Sequence, residues 1–149
     1  MKELKLLYLI SFITLLACAQ KNKSTIAIEA ATTSNYKTEI VVPGLDIPWG
    51  LVFLPDGALL ITEKSGKLIY FKEGIKTIIN GLPEVYLHGQ GGLLDIELHP
   101  DYHKNGWLYI TYASADGNGN GGNTALIRAK LKGNELTTIE QLYKANPNS

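Results

Sequence analysis

The feature that most constrains this chain is an internal repeat. Leu51-Val52-Phe53-Leu54-Pro55-Asp56 matches Ile96-Glu97-Leu98-His99-Pro100-Asp101 at an offset of 45 residues, and Gly57-Ala58-Leu59-Leu60-Ile61-Thr62 matches Gly106-Trp107-Leu108-Tyr109-Ile110-Thr111 at an offset of 49. The second copy therefore carries a turn four residues longer than the first. Self-similarity with a period of roughly 40–50 residues, each copy holding several short strands, is the signature of a propeller blade. A β-sandwich shows no such repeat.

The strands are read from short apolar runs separated by Gly, Pro, Asp and Asn about every ten residues. One set is Thr38–Val42, Gly50–Leu54, Ala58–Thr62, Lys67–Phe71 and Lys76–Ile79; a second is Leu93–Leu98, Trp107–Tyr112, Thr124–Leu131 and Leu136–Tyr143. No segment carries a helical stripe. Pro55-Asp56-Gly57, its longer counterpart from Pro100 to Gly106, and Ser65-Gly66 supply turn residues between successive strands. Residues 46–80 and 92–143 then read as two blades, with Thr38–Val42 a strand that helps to close a ring. The fold class expected is all-β, a β-propeller of which about two blades are present. Two blades leave unpaired edges and a half-covered apolar face, so residues 36–149 are expected to be a partial propeller.

The first residues read as targeting rather than fold. Lys2 and Lys5 precede an apolar run from Leu6 to Ala17, at about 12 residues too short for a bilayer, which needs roughly 20. It closes on Leu15-Leu16-Ala17-Cys18, which resembles a bacterial lipobox. Residues 1–17 are expected to be a lipoprotein-type signal peptide and Cys18 the lipidation site. Diacylation there would anchor the chain to a membrane surface, placing it in the periplasm or at the cell surface. The polar, aperiodic stretch 18–35 reads as a flexible tether. Cys18 is the only cysteine, which excludes an intrachain disulfide. Without residues 1–17, two lysines and one glutamate leave the 14 basic and 14 acidic side chains, giving a net charge of −1. With Arg128 the sole arginine and no basic patch, nucleic acid is not an expected partner.

Several motifs look chemical but have plainer readings. Gly117 to Gly122 satisfies G-x-G-x-x-G, yet no βαβ unit surrounds it, so a mobile hairpin loop is expected instead of a dinucleotide site. Asp116, Asn118 and Asn120 begin a calcium-loop pattern whose twelfth position is Ile127 where a glutamate belongs. His99 and His103 have metal-ligand spacing only on a helix, and Pro100 argues against one; His99 is expected to cap or pack a turn and His103 to be exposed. The richest segment is His88-Gly89-Gln90-Gly91-Gly92-Leu93-Leu94-Asp95. It reads either as a glycine-rich turn between blades or as a close-approach site whose following strand carries Gln90 to the mouth of a central channel.

Taken in order, Ile47-Pro48-Trp49-Gly50-Leu51, Pro55-Asp56-Gly57, Leu60-Ile61-Thr62-Glu63, Gly89 to Asp95 and His99-Pro100-Asp101-Tyr102 resemble the soluble quinoprotein (PQQ-dependent) glucose/sorbosone dehydrogenase family. The resemblance runs from Tyr36 to Tyr143. It implies a six-bladed propeller holding pyrroloquinoline quinone (PQQ) and Ca²⁺ near the ring axis. It also implies an aldose sugar oxidised at C1, with an external electron acceptor. Gln90 matches the glutamine that borders the sugar site in that family, and it is the one functional residue that carries over. The general-base histidine belongs to a His-x-Gly-Gly motif that the sequence does not contain, and His88 sits in a different context. The quinone and calcium ligands are expected beyond Ser149, so the fragment is expected to be inactive by itself. A non-catalytic propeller that binds glycans or proteins is the alternative, since a fold does not fix a function.

Overall fold

The computed structural model describes residues 36–149. The expected signal peptide, Cys18 and tether lie outside the described residues. Eight strands form two four-stranded antiparallel sheets, each a meander in chain order. The first sheet holds β1 (Pro48–Phe53), β2 (Leu59–Glu63), β3 (Lys67–Lys72) and β4 (Ile75–Ile79). The second holds β5 (Leu93–Leu98), β6 (Trp107–Ser114), β7 (Asn123–Lys132) and β8 (Glu135–Lys144). These are two propeller blades, and β5 packs against β1 and β2 so that the first strand of each lies innermost.

One expectation is corrected and another sharpened. Thr38–Val42 forms no strand. An apolar run becomes a strand only when a partner satisfies its ladder, and here Ile40 and Val41 are exposed. Instead, Val42 and Leu45 cover a small cluster of Leu59, Ile61 and Ile69 on the outer face of the first blade. The second concerns the longer turn, which forms a single helical turn, α1 (Tyr102–Asn105), too short to carry the helical stripe the sequence lacks. Those four residues are the extra four of the longer repeat. His99 caps the turn from outside it: its Nδ1 accepts the Asp101 N–H at 2.9 Å, as the sequence implied, and His103 is exposed. Gly106, at φ 69°, ends α1 in the left-handed conformation that glycine adopts without strain.

The main core lies between the blades. Val52, Leu60 and Leu68 from the first meet Ile96, Leu108, Ile110 and Tyr112 from the second, all buried. The alternation along β6 and β7 follows from the two-residue period of a strand: Leu108, Ile110 and Tyr112 point inward on β6, and Ala125, Ile127 and Ala129 on β7.

The repeat extends to a backbone irregularity. The β1–β2 register shifts between Pro48 and Leu51, and the β5–β6 register between Leu93 and Ile96, positions 45 apart. A bulge leaves a backbone group without its ladder partner, and in both blades a threonine hydroxyl takes the role. The Gly50 N–H donates to Thr62 Oγ1 at 2.8 Å, and the Asp95 N–H to Thr111 Oγ1 at 3.0 Å. Thr62 does more: its hydroxyl donates to the Leu94 carbonyl at 2.6 Å, tying the bulge of one blade to that of the next.

The β1–β2 turn carries an exposed ion pair, Lys72 Nζ to Asp56 Oδ2 at 2.7 Å. The hydrogen bond from Lys72, helped by the Ala58 N–H, holds the Asp56 carboxyl below its ordinary 3.8. A carboxylate depressed on folding adds stability that is present above 3.8 and lost as pH falls through the lower, folded value. The Asp56 carboxyl is expected to titrate by NMR with a midpoint below 3.8, and Lys72→Met is expected to return it towards 3.8. No movement in the variant would refute the pairing.

Candidate functional site at one end of the blades

Three connections meet at one end of the two sheets: the β2–β3 turn at Lys64–Gly66, the inter-blade crossing 80–92, and the β6–β7 loop 115–122. The crossing is fixed at both ends. Asn80 bridges to the β7–β8 turn and β8, its N–H donating to the Asn134 carbonyl at 2.9 Å and its own carbonyl accepting from the Leu136 N–H at 2.9 Å. Further on, the Tyr86 N–H donates to the Ala113 carbonyl at 2.8 Å.

The Gly-Gln-Gly-Gly segment forms a turn closed by the Gly91 N–H donating to the His88 carbonyl at 2.7 Å. Glycine is required at its last two positions by close backbone approach. A Cβ on Gly91 would lie 2.9 Å from the Tyr86 carbonyl oxygen, and one on Gly92 only 2.5 Å from that of Lys64. Those approaches let the chain dock between Lys64 and Ala113: the Leu93 N–H reaches the Lys64 carbonyl at 3.1 Å, and the Ala113 N–H the Gly92 carbonyl at 2.8 Å. Lys64 Nζ adds a bond to the Gly89 carbonyl at 2.5 Å.

Gln90 sits exposed on this turn, three residues before the innermost strand of the second blade begins. Its neighbour His88 lies beside Tyr86, the rings stacked with centroids 6.0 Å apart. Tyr86 also lines a cleft of about 280 Å³ with Glu84, Val85, Leu87, Ala115 and Asp116. The turn thus offers a neutral amide with an ammonium group and an imidazole close by.

The remaining motifs fall elsewhere. The glycine-rich run 117–122 joins β6 to β7 as a hairpin loop and is followed by a strand, as its context implied. Its backbone is occupied locally, Asn118 accepting from the Asn148 N–H at 2.8 Å. His99 and His103 remain at the opposite, β5–β6 end. Among the described residues no group of three or more His, Cys, Asp and Glu side chains is placed to hold a metal. Sequence reasoning missed the Lys64 clamp and the Tyr86–His88 stack, because both depend on contacts between segments that nothing in the local pattern links.

A profile of the family described as glucose/sorbosone dehydrogenase matches residues 45–149. The chain belongs to this family. Aldose sugar dehydrogenase YliI of Escherichia coli is 36% identical over 122 residues, which cover 78% of this chain and 33% of that protein. The crystal structure of the soluble aldose sugar dehydrogenase from Escherichia coli, in its apo form, superposes with a TM-score of 0.69 at 32% identity, covering 74% of this chain and 33% of that one. The PQQ-bound aldose sugar dehydrogenase from Streptomyces coelicolor gives 0.59 at 30% identity, covering 73% and 33%. The chain spans about a third of the length of these relatives. Glucose/sorbosone dehydrogenases are thus the relatives of both its sequence and its two-blade fold.

Proposed function

We propose that this chain is the N-terminal part of a PQQ-dependent sugar dehydrogenase that oxidises an aldose at C1. The observation that carries the reading is the buttressed turn at Gly89–Gly92, which holds Gln90 exposed before the innermost strand in a chain of this family. A primary amide donates and accepts at once, which suits it to a sugar hydroxyl. In this reading Gln90 borders the sugar, and Lys64 positions it by holding the Gly89 carbonyl.

Pyrroloquinoline quinone, when bound, would supply the hydride acceptor for oxidation at C1. The described residues supply neither a metal cluster nor a His-x-Gly-Gly base. We therefore assign the quinone contacts, the calcium ligands and the base to the part of the relatives' length that this chain does not span. The chain's own residues contribute sugar positioning. Export through residues 1–17, anchoring through Cys18 and electron delivery to an external acceptor belong to the same proposal.

Two measurements test it. Supplied with PQQ, Ca²⁺, an aldose and an artificial acceptor, the 149-residue chain is expected to show no quinone-dependent oxidation; turnover would overturn the division of labour. Carried in a polypeptide of family length, Gln90→Leu is expected to raise KM for the aldose about tenfold, the worth of one lost hydrogen bond, with kcat little changed. An unchanged KM would remove Gln90 from the sugar site.

A further inference from the structure

The residue before Lys64 is a buried carboxylate to which the sugar reading gives no role. Glu63, the last residue of β2, is 3% exposed and is the one buried charged side chain among the described residues. A charge taken out of water is costly unless it is paired and hydrogen-bonded. Its Oε1 accepts the Asp46 N–H at 2.6 Å, and its Oε2 lies 3.6 Å from Nζ of Lys67, a side chain 54% exposed. The short bond to the backbone is the stronger of the two contacts, since a long ion pair open to solvent contributes little.

That bond holds a segment in a strained conformation. Ile47 has φ 48°, in the left-handed region. It is β-branched and precedes Pro48, and each of these features favours extended backbone instead. A strained residue persists only where its surroundings over-determine it. Here the Glu63 carboxylate holds the Asp46 N–H on one side of Ile47, and on the other the Lys64 N–H donates to the Ile47 carbonyl at 3.0 Å. The second blade makes the same contact with glycine. By the offsets of 45 and 49, Gly92 is the equivalent of Ile47 and Ala113 that of Lys64, and the Ala113 N–H donates to the Gly92 carbonyl at 2.8 Å. Tyr112 stands where the first blade has Glu63. The repeat thus accepts glycine without a carboxylate at this point, and the strained isoleucine with its buried Glu63 belongs to the blade that clamps the Gln90 turn.

Lys64 is common to the strained segment and the turn. Its N–H holds Ile47, its carbonyl accepts the Leu93 N–H at 3.1 Å, and its ammonium donates to the Gly89 carbonyl at 2.5 Å. Without Glu63, Ile47 is free to relax towards extended backbone, which withdraws the acceptor from the Lys64 N–H and loosens the residue on which the turn hangs. We infer that Glu63 is a positioning residue for Gln90: its carboxylate fixes Asp46–Ile47 in the conformation that seats Lys64, and Lys64 seats the turn. This role rests on the reading of Gln90 as a sugar contact, but the hold on the turn is measurable without sugar.

The test is backbone NMR of the full 149-residue chain. Glu63→Ala is expected to shift the Gly89 and Gln90 amide signals and to speed hydrogen exchange at the Leu93 N–H about tenfold, the worth of one lost bond. Glu63→Gln keeps an oxygen for the Asp46 N–H and is expected to match the wild type; glutamine behaving as alanine does would remove that bond as the cause. Ile47→Gly added to Glu63→Ala is expected to restore the signals and the slow exchange, because glycine takes a positive φ freely. Unmoved Gly89 and Gln90 signals in Glu63→Ala would overturn the inference, as would an alanine effect that the glycine does not relieve, which would mean lost packing. If Glu63→Ala does not fold, the double variant decides: a folded chain with a wild-type turn supports the strain link, and an unfolded one overturns it. In a polypeptide of family length, Glu63→Ala is expected to raise KM for the aldose about threefold, less than Gln90→Leu because the amide is displaced and not removed. Little change in kcat is expected, and Ile47→Gly should restore KM. A turn that moves with KM unchanged would refute the sugar role of Gln90 while leaving the hold of Glu63 on the turn in place.

Discussion

Thr62→Val is expected to lower the unfolding free energy by about 2–4 kcal/mol, although the two side chains have nearly the same shape. The hydroxyl is fully buried and has two partners at bonding distance: it accepts from the Gly50 N–H at 2.8 Å and donates to the Leu94 carbonyl at 2.6 Å. The Gly50 carbonyl, at 3.3 Å, is too distant to compete for its single proton. Valine removes both bonds and leaves a buried bulge N–H and a part-buried bulge carbonyl unpaired. Each orphaned group carries a desolvation cost of about 1–3 kcal/mol, more than the net worth of the bond itself. Urea unfolding should show a lower midpoint with an unchanged slope. Thr62→Ser, which keeps the hydroxyl, should lose no more than about 1 kcal/mol for its missing methyl. If serine and valine were equally destabilising, packing and not the inter-blade bond would be the cause.

Leu108→Ala is expected to be at least as severe, about 2–5 kcal/mol, for a different reason. Leu108 is wholly buried in the core between the blades, on the strand that pairs with both β5 and β7, opposite Leu98 and Ala129. Truncation removes three carbons from water-free surroundings and leaves a cavity that sheets locked by ladders on both sides cannot collapse to fill. A substitution of the same type at Leu142, which is 45% exposed on the outermost strand, should cost well under 1 kcal/mol. Thermal unfolding of the two variants side by side would separate them, and similar midpoints would mean that the shared core does not hold the two blades together.

The two costs show what joins the blades. Within each sheet the ladder is self-sufficient, but a four-stranded sheet with one apolar face gains its stability by burying that face. The core between the blades supplies most of the burial. Thr62 adds register: because a bulge is tied to a bulge, the second blade cannot slide along the first without breaking both bonds. Gly50 is compatible with that approach and little else is, since a Cβ there would lie 2.5 Å from the Asp95 carboxylate oxygen and 3.1 Å from its Cα.

The blade pattern was legible because it is local. Alternation of apolar and polar residues over five to ten positions, with Pro, Asp and Gly at the reversals, places β1 to β8 in the chain to within a few residues. The offsets of 45 and 49 identified the two copies, and the difference of four located α1 without revealing that it is helical. A single turn of helix has no hydrophobic period to read. The strand expected at Thr38–Val42 failed for a related reason: its residues suit a strand, but pairing needs a neighbour, and residue preference cannot supply one.

For the candidate site, the glycines and Gln90 stood out in sequence, and the family likeness followed from them. Which groups hold the turn did not, since Lys64, Tyr86 and Ala113 are brought to it by the crossing between blades and only the folded chain joins them. By itself the sequence determined the repeat, the all-β class and the position of Gln90, because periodicity and turn chemistry act between near neighbours. Tertiary structure alone decided the Thr62 bond and the buttress behind Gln90, because each depends on the distance between atoms far apart along the chain.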